Sequence, residues 1–298
     1  MKLIVDSGST KTDWAFVLSS SDSKSVSTRG INPVVQTSEQ IKEILNTELL
    51  LGVSNVAISV DDIDEIFYYG AGCIPEKSDV LKSALMPIFP NASVVEIESD
   101  LLGAARAMCG HESGVAAILG TGANSCLFDG HEIVWHTPAL GYILGDEGSG
   151  AVLGRKFING ILKGWLPTDI CRLFMLETGL TVADIINNVY HQTSPNRFLA
   201  SMSVFIAKHI DECKALDDLV VHNFEDFIRI NLLPYFSVHE EYSTAHSNAE
   251  LPREFSAVGS IAYHYNAQLA KAANKYGLNV AKIIKSPLQD LVKYHCNQ

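Results

Sequence analysis

The stretch VDSGSTKTDW, Val5 to Trp14, places a carboxylate, a glycine, several hydroxyls and a lysine between two apolar runs. A tight turn of Gly, Ser and Thr can aim successive backbone N–H groups at one anion, forming a nest without a helix dipole. Gly8, Ser9, Thr10, Lys11 and Thr12 are therefore candidate phosphate contacts. Asp6, at the end of the first apolar run, could anchor Mg²⁺, which prefers carboxylates, water and phosphate oxygens. The loop is neither a P-loop nor a Rossmann turn, because both open a helix and this glycine leads into a second strand-like run, Thr12 to Leu18.

Asp100 follows the apolar run VVEI and precedes LLGAARAM, at the end of a strand and the start of a helix. Open α/β sheets bind ligands there. A carboxylate so placed can take the proton of a hydroxyl that attacks a phosphoryl group, a reaction that depends mainly on positioning and charge neutralisation. LGDEGSG, Leu144 to Gly150, could hold sugar hydroxyls, since carboxylates accept from paired O–H groups and glycines let backbone come close. Gly259 and Ser260, in SAVGSIAYHY, could admit a flat base or ribose. Each motif alone also reads as ordinary structure: a Gly/Ser hairpin, a helix N-cap at Asp100, a decorated helix start, a turn residue at Asn32.

Positioning these residues requires strands that end where the motifs begin. Leu3 to Val5, Thr12 to Leu18 and a third strand before Gly30 form one strand–turn–strand–turn–strand opening. Val115 to Leu119, the turn GTGANS, the run from Cys126 to Phe128 and the strand Glu132 to His136 form another, which suggests an internal duplication. Helices are expected over Ser38–Leu51 with Ser38 as N-cap, Ser78–Pro87, Leu101–Met108, and a series from Glu147 to Phe236. The C-terminal part reads strand Phe255–Val258, helix Gly259–Tyr276, strand Val280–Ile284 and helix Pro287–Tyr294. The boundary between halves is expected near Gly110 to Gly114.

The chain has 298 residues, enough for two cores, and a formal charge of −12 that repels nucleic acid and anionic membrane surfaces. Its six cysteines form no CxxC pair, and no apolar run has the length of a signal peptide core or a membrane span. A cytoplasmic protein with reduced thiols and no membrane or nucleic-acid partner is expected. His209, His222 and His264 have no paired-ligand spacing and read as packing or surface residues.

Taken together, the motifs resemble a known family. The run Asp6 to Thr12 looks like the first phosphate motif of the actin-like ATPase superfamily, Gly120-Thr121-Gly122 like the second, and AVGS like the adenosine motif. The combination of SDLLGAARA, LGTGANS and GDEGSG is similar to the N-acetylglucosamine kinases, grouped with the BadF/BadG-type ATPases, and the match runs in order over nearly the whole chain.

The resemblance implies an α/β fold of two RNase H-like lobes, each a mixed five-stranded sheet flanked by helices, with nucleotide and sugar in the interlobe cleft. The lobes would be residues 1–112, completed by helix 286–298, and residues 113–285 with a helical insertion. It implies an enzyme that uses ATP and Mg²⁺ to phosphorylate the 6-hydroxyl of N-acetylglucosamine or a related amino sugar. Thr10 and Thr121 would meet the phosphates, Asp100 would be the base, and Asn32, Ala123, Asn124, Leu140, Gly141 and Asp146 would line the sugar site. A homodimer is expected and structural zinc is not. PALGYILGDEGSG departs from the Gly-Trp-Gly-His run of the animal enzymes, with Tyr142 in that space. The alternatives are an activator ATPase of the 2-hydroxyacyl-CoA dehydratase type, which would need cysteine ligands for an iron–sulfur cluster, and a non-catalytic sugar sensor.

Overall fold

The structure, a computed structural model, describes residues 1–19, 22–237 and 251–296. The chain divides into two compact units. One comprises Met1–His111, Gly130–Glu132 and the C-terminal segment from Ser286; the other comprises Glu112–Asp129 and Ile133–Lys285.

The first unit holds β1 (Lys2–Ser7), β2 (Lys11–Ser19), β3 (Asp22–Arg29), β4 (Glu65–Gly70) and β5 (Val94–Ser99), in the sheet order β3-β2-β1-β4-β5. β1 is antiparallel to β2 and parallel to β4, which is parallel to β5. The second unit holds β6 (Gly114–Leu119), β7 (Ala123–Phe128), β8 (Ile133–Trp135), β9 (Glu254–Val258) and β10 (Asn279–Ile284), in the order β10-β9-β6-β7-β8. Read from the meander outward the two orders are the same, and so are the strand directions. The duplication expected from the two openings is therefore present as topology, and the mixed five-stranded sheets expected for the fold are both there.

Period-two alternation builds each sheet. In the first unit Leu3, Val5, Trp14, Phe16, Ile66 and Tyr68 point into one core with Ile41, Ile44, Leu45 and Leu49. Ile4, Phe67 and Tyr69 are buried on the opposite face. Helix Asp100–Cys109 and the C-terminal helix Leu288–Cys296 pack against each other, and the C-terminal helix also packs on β1 and β2. The second unit has a separate core built from β6, β7, β9 and the helices from Gly150 onward.

Several helix boundaries differ from expectation for local reasons. The N-cap of the first helix is Thr37, because Thr37 and Gln40 form a reciprocal capping box. That helix passes through a π-turn at Leu45–Leu49, which keeps Leu45 and Leu49 on the buried side. The expected start at Ser78 moves back to Pro75, whose fixed φ suits a first helical position. The start expected at Glu147 moves forward to Gly150, capped by Ser149, and the expected helix Gly259–Tyr276 breaks at Tyr265 into Ser260–His264 and Asn266–Lys275.

Candidate active site

In the first unit three parallel strands end flush, with Ser7, Gly70 and Ser99 in register. The turn after β1, the loop after β4 and the helix after β5 therefore leave the sheet at one level, the place where open α/β sheets bind ligands. Gly8 N–H closes the first turn on Lys11 C=O at 2.9 Å, and Gly30 N–H reaches Thr10 C=O at 3.0 Å. A Cβ at Gly30 would lie 2.4 Å from Gly8 O, so only glycine lets the end of β3 support the turn this closely. Ser9, Thr10 and Lys11 are exposed.

Thr12 faces the other way. It is fully buried, its Oγ1 is 2.7 Å from Ser7 Oγ, and it accepts from Ile31 N–H at 3.1 Å. Its expected role as a ligand contact gives way to a supporting one, because strand alternation turns its hydroxyl into the scaffold. Lys11 Nζ is paired with Asp13 Oδ1 at 2.7 Å, which spends part of the charge expected to meet phosphate.

Asp6, Asp13, Tyr69 and Glu98 share one sheet face by register. The Asp6 carboxyl is pushed up to about 7, first by burial, then by the charges of Asp100 and Asp13, with Lys11 opposing. Burial pushes Asp100 up to about 6, while the N–H of Leu101 opposes the shift. The helix is capped by Ser99, whose Oγ accepts from Leu102 N–H at 3.2 Å, so Asp100 is not the cap. Asn32 Oδ1 accepts from Val34 N–H at 3.0 Å, leaving Nδ2 as the group able to donate to a ligand. A Cβ at Gly72 would lie 2.1 Å from that same Oδ1, which brings the Gly70–Cys73 loop against Asn32. Asp100 and Glu98 raise the Cys73 thiol, already lifted by burial, to about 12, so this loop also lies beside Asp100. Sequence reasoning missed the loop, although Gly-Ala-Gly directly after a strand was a usable signal, and missed Asp13, whose pairing with Asp6 follows from the hairpin.

These residues fit a magnesium ion. The charges of Asp100 and Asp13 act on Asp6 with only Lys11 opposing, which leaves uncompensated negative charge when these carboxyls are ionised, and Mg²⁺ is typically held by one or two carboxylates with water and phosphate. Among the described residues no group of three or more His, Cys, Asp or Glu is arranged to hold a metal alone.

In the second unit the turn Gly120–Gly122 follows β6, closed by Gly120 N–H to Gly122 C=O at 3.0 Å. Its carbonyls cap the next long helix: Gly150 and Ala151 N–H donate to Gly120 and Thr121 C=O at 2.8 and 3.1 Å. Gly259 has φ +124 and sits where a Cβ would be 2.3 Å from Leu119 O, so the expected adenosine motif lies directly against the expected phosphate turn. Ser260 beside it is exposed.

The expected sugar residues of this unit also converge. The Asp146 carboxylate lies against Gly122 and accepts backbone hydrogen bonds from Ala123 and Gly141; burial foremost, then Glu147, raises it to about 6. Leu140 and Asp146 both adopt left-handed conformations, φ +63 and +53, which non-glycine residues rarely do. Such strain persists where surrounding bonds hold it, and it collects at ligand sites. Glu147 accepts from Asn231 Nδ2 at 3.2 Å, and Asn231 lies in a second π-turn, Ile228–Leu232. Leu140 itself is exposed. Asn124 is half-buried, and its Oδ1 accepts from Ser125 N–H at 2.9 Å.

No protein-family model and no curated protein matches the sequence. Among solved structures, two described as putative N-acetylglucosamine kinases are similar over the whole length. That from Porphyromonas gingivalis is 44% identical, with a TM-score of 0.91 over 100% of this chain and 99% of the other. That from Chromobacterium violaceum is 15% identical, with a TM-score of 0.70 over 98% of each. A ROK-family glucokinase from Streptomyces griseus, solved with glucose and AMPPNP, is 12% identical with a TM-score of 0.53 over 98% of this chain and 97% of its own. The last two share the fold alone. No helix among the described residues is long and apolar enough to cross a membrane. Full-length identity at the level of the Porphyromonas protein, with both five-stranded sheets and the motifs at their strand ends, means that the chain belongs to the N-acetylglucosamine kinase and BadF/BadG-type ATPase family of the actin-like ATPase superfamily.

Proposed function

We propose that this protein is an ATP-dependent sugar kinase that phosphorylates the 6-hydroxyl of N-acetylglucosamine or a related amino sugar. The observation that carries the reading is the pair of raised carboxylates, Asp6 and Asp100, at the flush ends of the parallel strands beside an exposed glycine turn. The name of the 44% identical relative points to the same substrate class.

In this reading Asp100 takes the proton from the sugar hydroxyl as that oxygen becomes a nucleophile. A pKa near 6 suits this, because the group is ionised at neutral pH yet basic enough to accept a proton. Asp6 would hold Mg²⁺ through water. In the first unit the phosphate contacts are Thr10, Lys11 and the N–H groups around Gly8 and Ser9; in the second they are Thr121 and the N–H groups around Gly120 and Gly122, with Gly259 and Ser260 for the adenosine. MgATP, when bound, supplies the phosphoryl group and the cation that offsets its charge. Asp146 accepts from sugar hydroxyls, held in place by the N–H groups of Ala123 and Gly141, with Asn124 and Leu140 beside it in the second unit; in the first unit Asn32 is the sugar contact.

A coupled ADP-release assay over a panel of hexoses and N-acetylhexosamines tests this. Turnover stimulated by an N-acetylated amino sugar is expected. ADP release indifferent to every sugar would remove the reading.

A further inference from the structure

The helix that begins with Asp100 is held at its far end by a second helix about 190 residues away in sequence, within the same unit. Arg106 Nη1 donates to Tyr69 Oη at 2.7 Å, and Tyr69 Oη meets His295 Nε2 at 2.8 Å. His295 is 2% exposed, and its ring stacks on Phe67 with centroids 3.9 Å apart. Arg106 also lies over the rings of Tyr69 and Tyr294, at 5.7 and 5.5 Å. A Cβ at Gly103 would lie 2.8 Å from Tyr69 Cβ, so the same tyrosine is packed against the middle of the helix.

Tyr69 is paired in register with Asp6 on one side and Glu98 on the other. Its side chain thus ties the backbone that carries Asp6 to the helix that carries Asp100. Asp100 and Arg106 are six residues apart, about 9 Å along a helix axis, so a tilt at Arg106 moves the Asp100 carboxylate. The His295 imidazole closes this chain. Burial foremost, then the charges of Arg106 and Lys2, lower it to about 3, so it stays neutral at any ordinary pH. Arg106 Nη1 donates to Oη, and His295 Nε2 lies at hydrogen-bond distance from the same oxygen, so the two side chains together fix the direction of the phenol.

We propose that His295 is a positioning residue for Asp100, acting through Tyr69 and Arg106 to fix the pitch of helix Asp100–Cys109 against the strand that carries Asp6. The proposal rests on the kinase reading for its effect on rate but not for its effect on the helix. A displacement near 1 Å at a reacting group can cost about a hundred-fold in rate; partial loosening of one anchor is expected to cost about ten-fold.

The test uses the full chain with three single variants and the His295→Phe/Tyr69→Phe double variant. His295→Phe keeps the ring on Phe67 but removes Nε2, Tyr69→Phe removes the shared hydroxyl, and His295→Gln restores a polar group near Nε2. Expected are kcat values about ten-fold lower in both Phe variants, KM for sugar and ATP within two-fold of wild type, no further loss in the double variant, and recovery in His295→Gln. Amide hydrogen exchange should quicken over residues 101–106 and stay unchanged in helix Gly150–Lys163. Wild-type kcat and exchange in Tyr69→Phe would overturn the proposal, as would wild-type behaviour of His295→Phe beside an impaired His295→Gln, which would mean ring packing alone. Tyr69→Phe decides the matter if His295→Phe does not fold. If the wild-type chain turns over no sugar, the kinase reading fails, and the exchange measurement then stands alone: quickening confined to helix Asp100–Cys109 supports the positioning role, and its absence overturns it.

Discussion

At the residue scale the first unit carries two carboxylates, Asp6 and Asp100, whose acidity is wrong for a surface aspartate. A group whose folded pKa lies above its unfolded value binds more protons in the folded state over the interval between the two. Its contribution to stability is therefore greatest below the unfolded value of 3.8 and is lost as pH rises toward about 7 for Asp6 and about 6 for Asp100. Asp6→Asn should accordingly raise the unfolding free energy at pH 8 without magnesium by an amount on the order of 4 kcal/mol, read as a higher melting temperature. It should also abolish the rise that added Mg²⁺ gives the wild type, since a ligand that binds only the folded state stabilises it by mass action. A wild-type melting curve indifferent to Mg²⁺ at pH 8 would count against the ion site. For catalysis the sign runs the other way: the base must be ionised, so kcat/KM should fall about ten-fold per pH unit below roughly pH 6. Asp6 and Asp100 could be read from strand-end positions alone. Asp13 could not until hairpin register placed it beside Asp6, and the inward turn of Thr12 became visible only through alternation along β2.

At the scale of elements, the glycines separate turns that serve the site from turns that merely reverse the chain. Gly30→Ala would drive a methyl to 2.4 Å from Gly8 O, and Gly259→Ala adds a left-handed penalty to a 2.3 Å approach at Leu119 O. Each should cost about 2 kcal/mol or more and weaken binding of a fluorescent ATP analogue, read by titration. Gly164→Ala is the control: its φ is +69 with nothing within 4 Å, so it should cost about 1 kcal/mol and leave nucleotide binding intact. Equal effects at all three positions would deny the turns at Gly8 and Gly120 a special role. Most strands were legible because apolar alternation and turn residues agree locally, and Thr168–Thr178 and Val182–Tyr190 carry clear helical signals. What escaped depends on partners far away in the chain. The break at Tyr265 accompanies a hydrogen bond from its hydroxyl to Ser203 C=O, and the left-handed turn at Asp146 is held by Ala123 and Gly141. The contact between Tyr69 and His295 spans 226 positions, beyond any local pattern.

At the scale of the whole chain, each unit has its own sheet and core, and the C-terminal helix belongs with the N-terminal unit. Truncation after Lys285 should therefore strip protection from the sheet of the first unit, where Phe67 and Tyr69 lose their cover, while the core of the second unit keeps slow amide exchange. Uniform loss across both sheets would contradict that division. Family membership and fold follow from full-length similarity, whereas the chemistry rests on the two carboxylates. The most direct measurement is phosphorus–proton correlation NMR of the product formed from N-acetylglucosamine and MgATP, run with the wild type and with Asp100→Asn. The account predicts a phosphorus signal coupled to the C6 protons for the wild type, and a rate at least about a hundred-fold lower for the variant. A phosphate on another oxygen, no sugar phosphate at all, or an Asp100→Asn variant as fast as the wild type would contradict it.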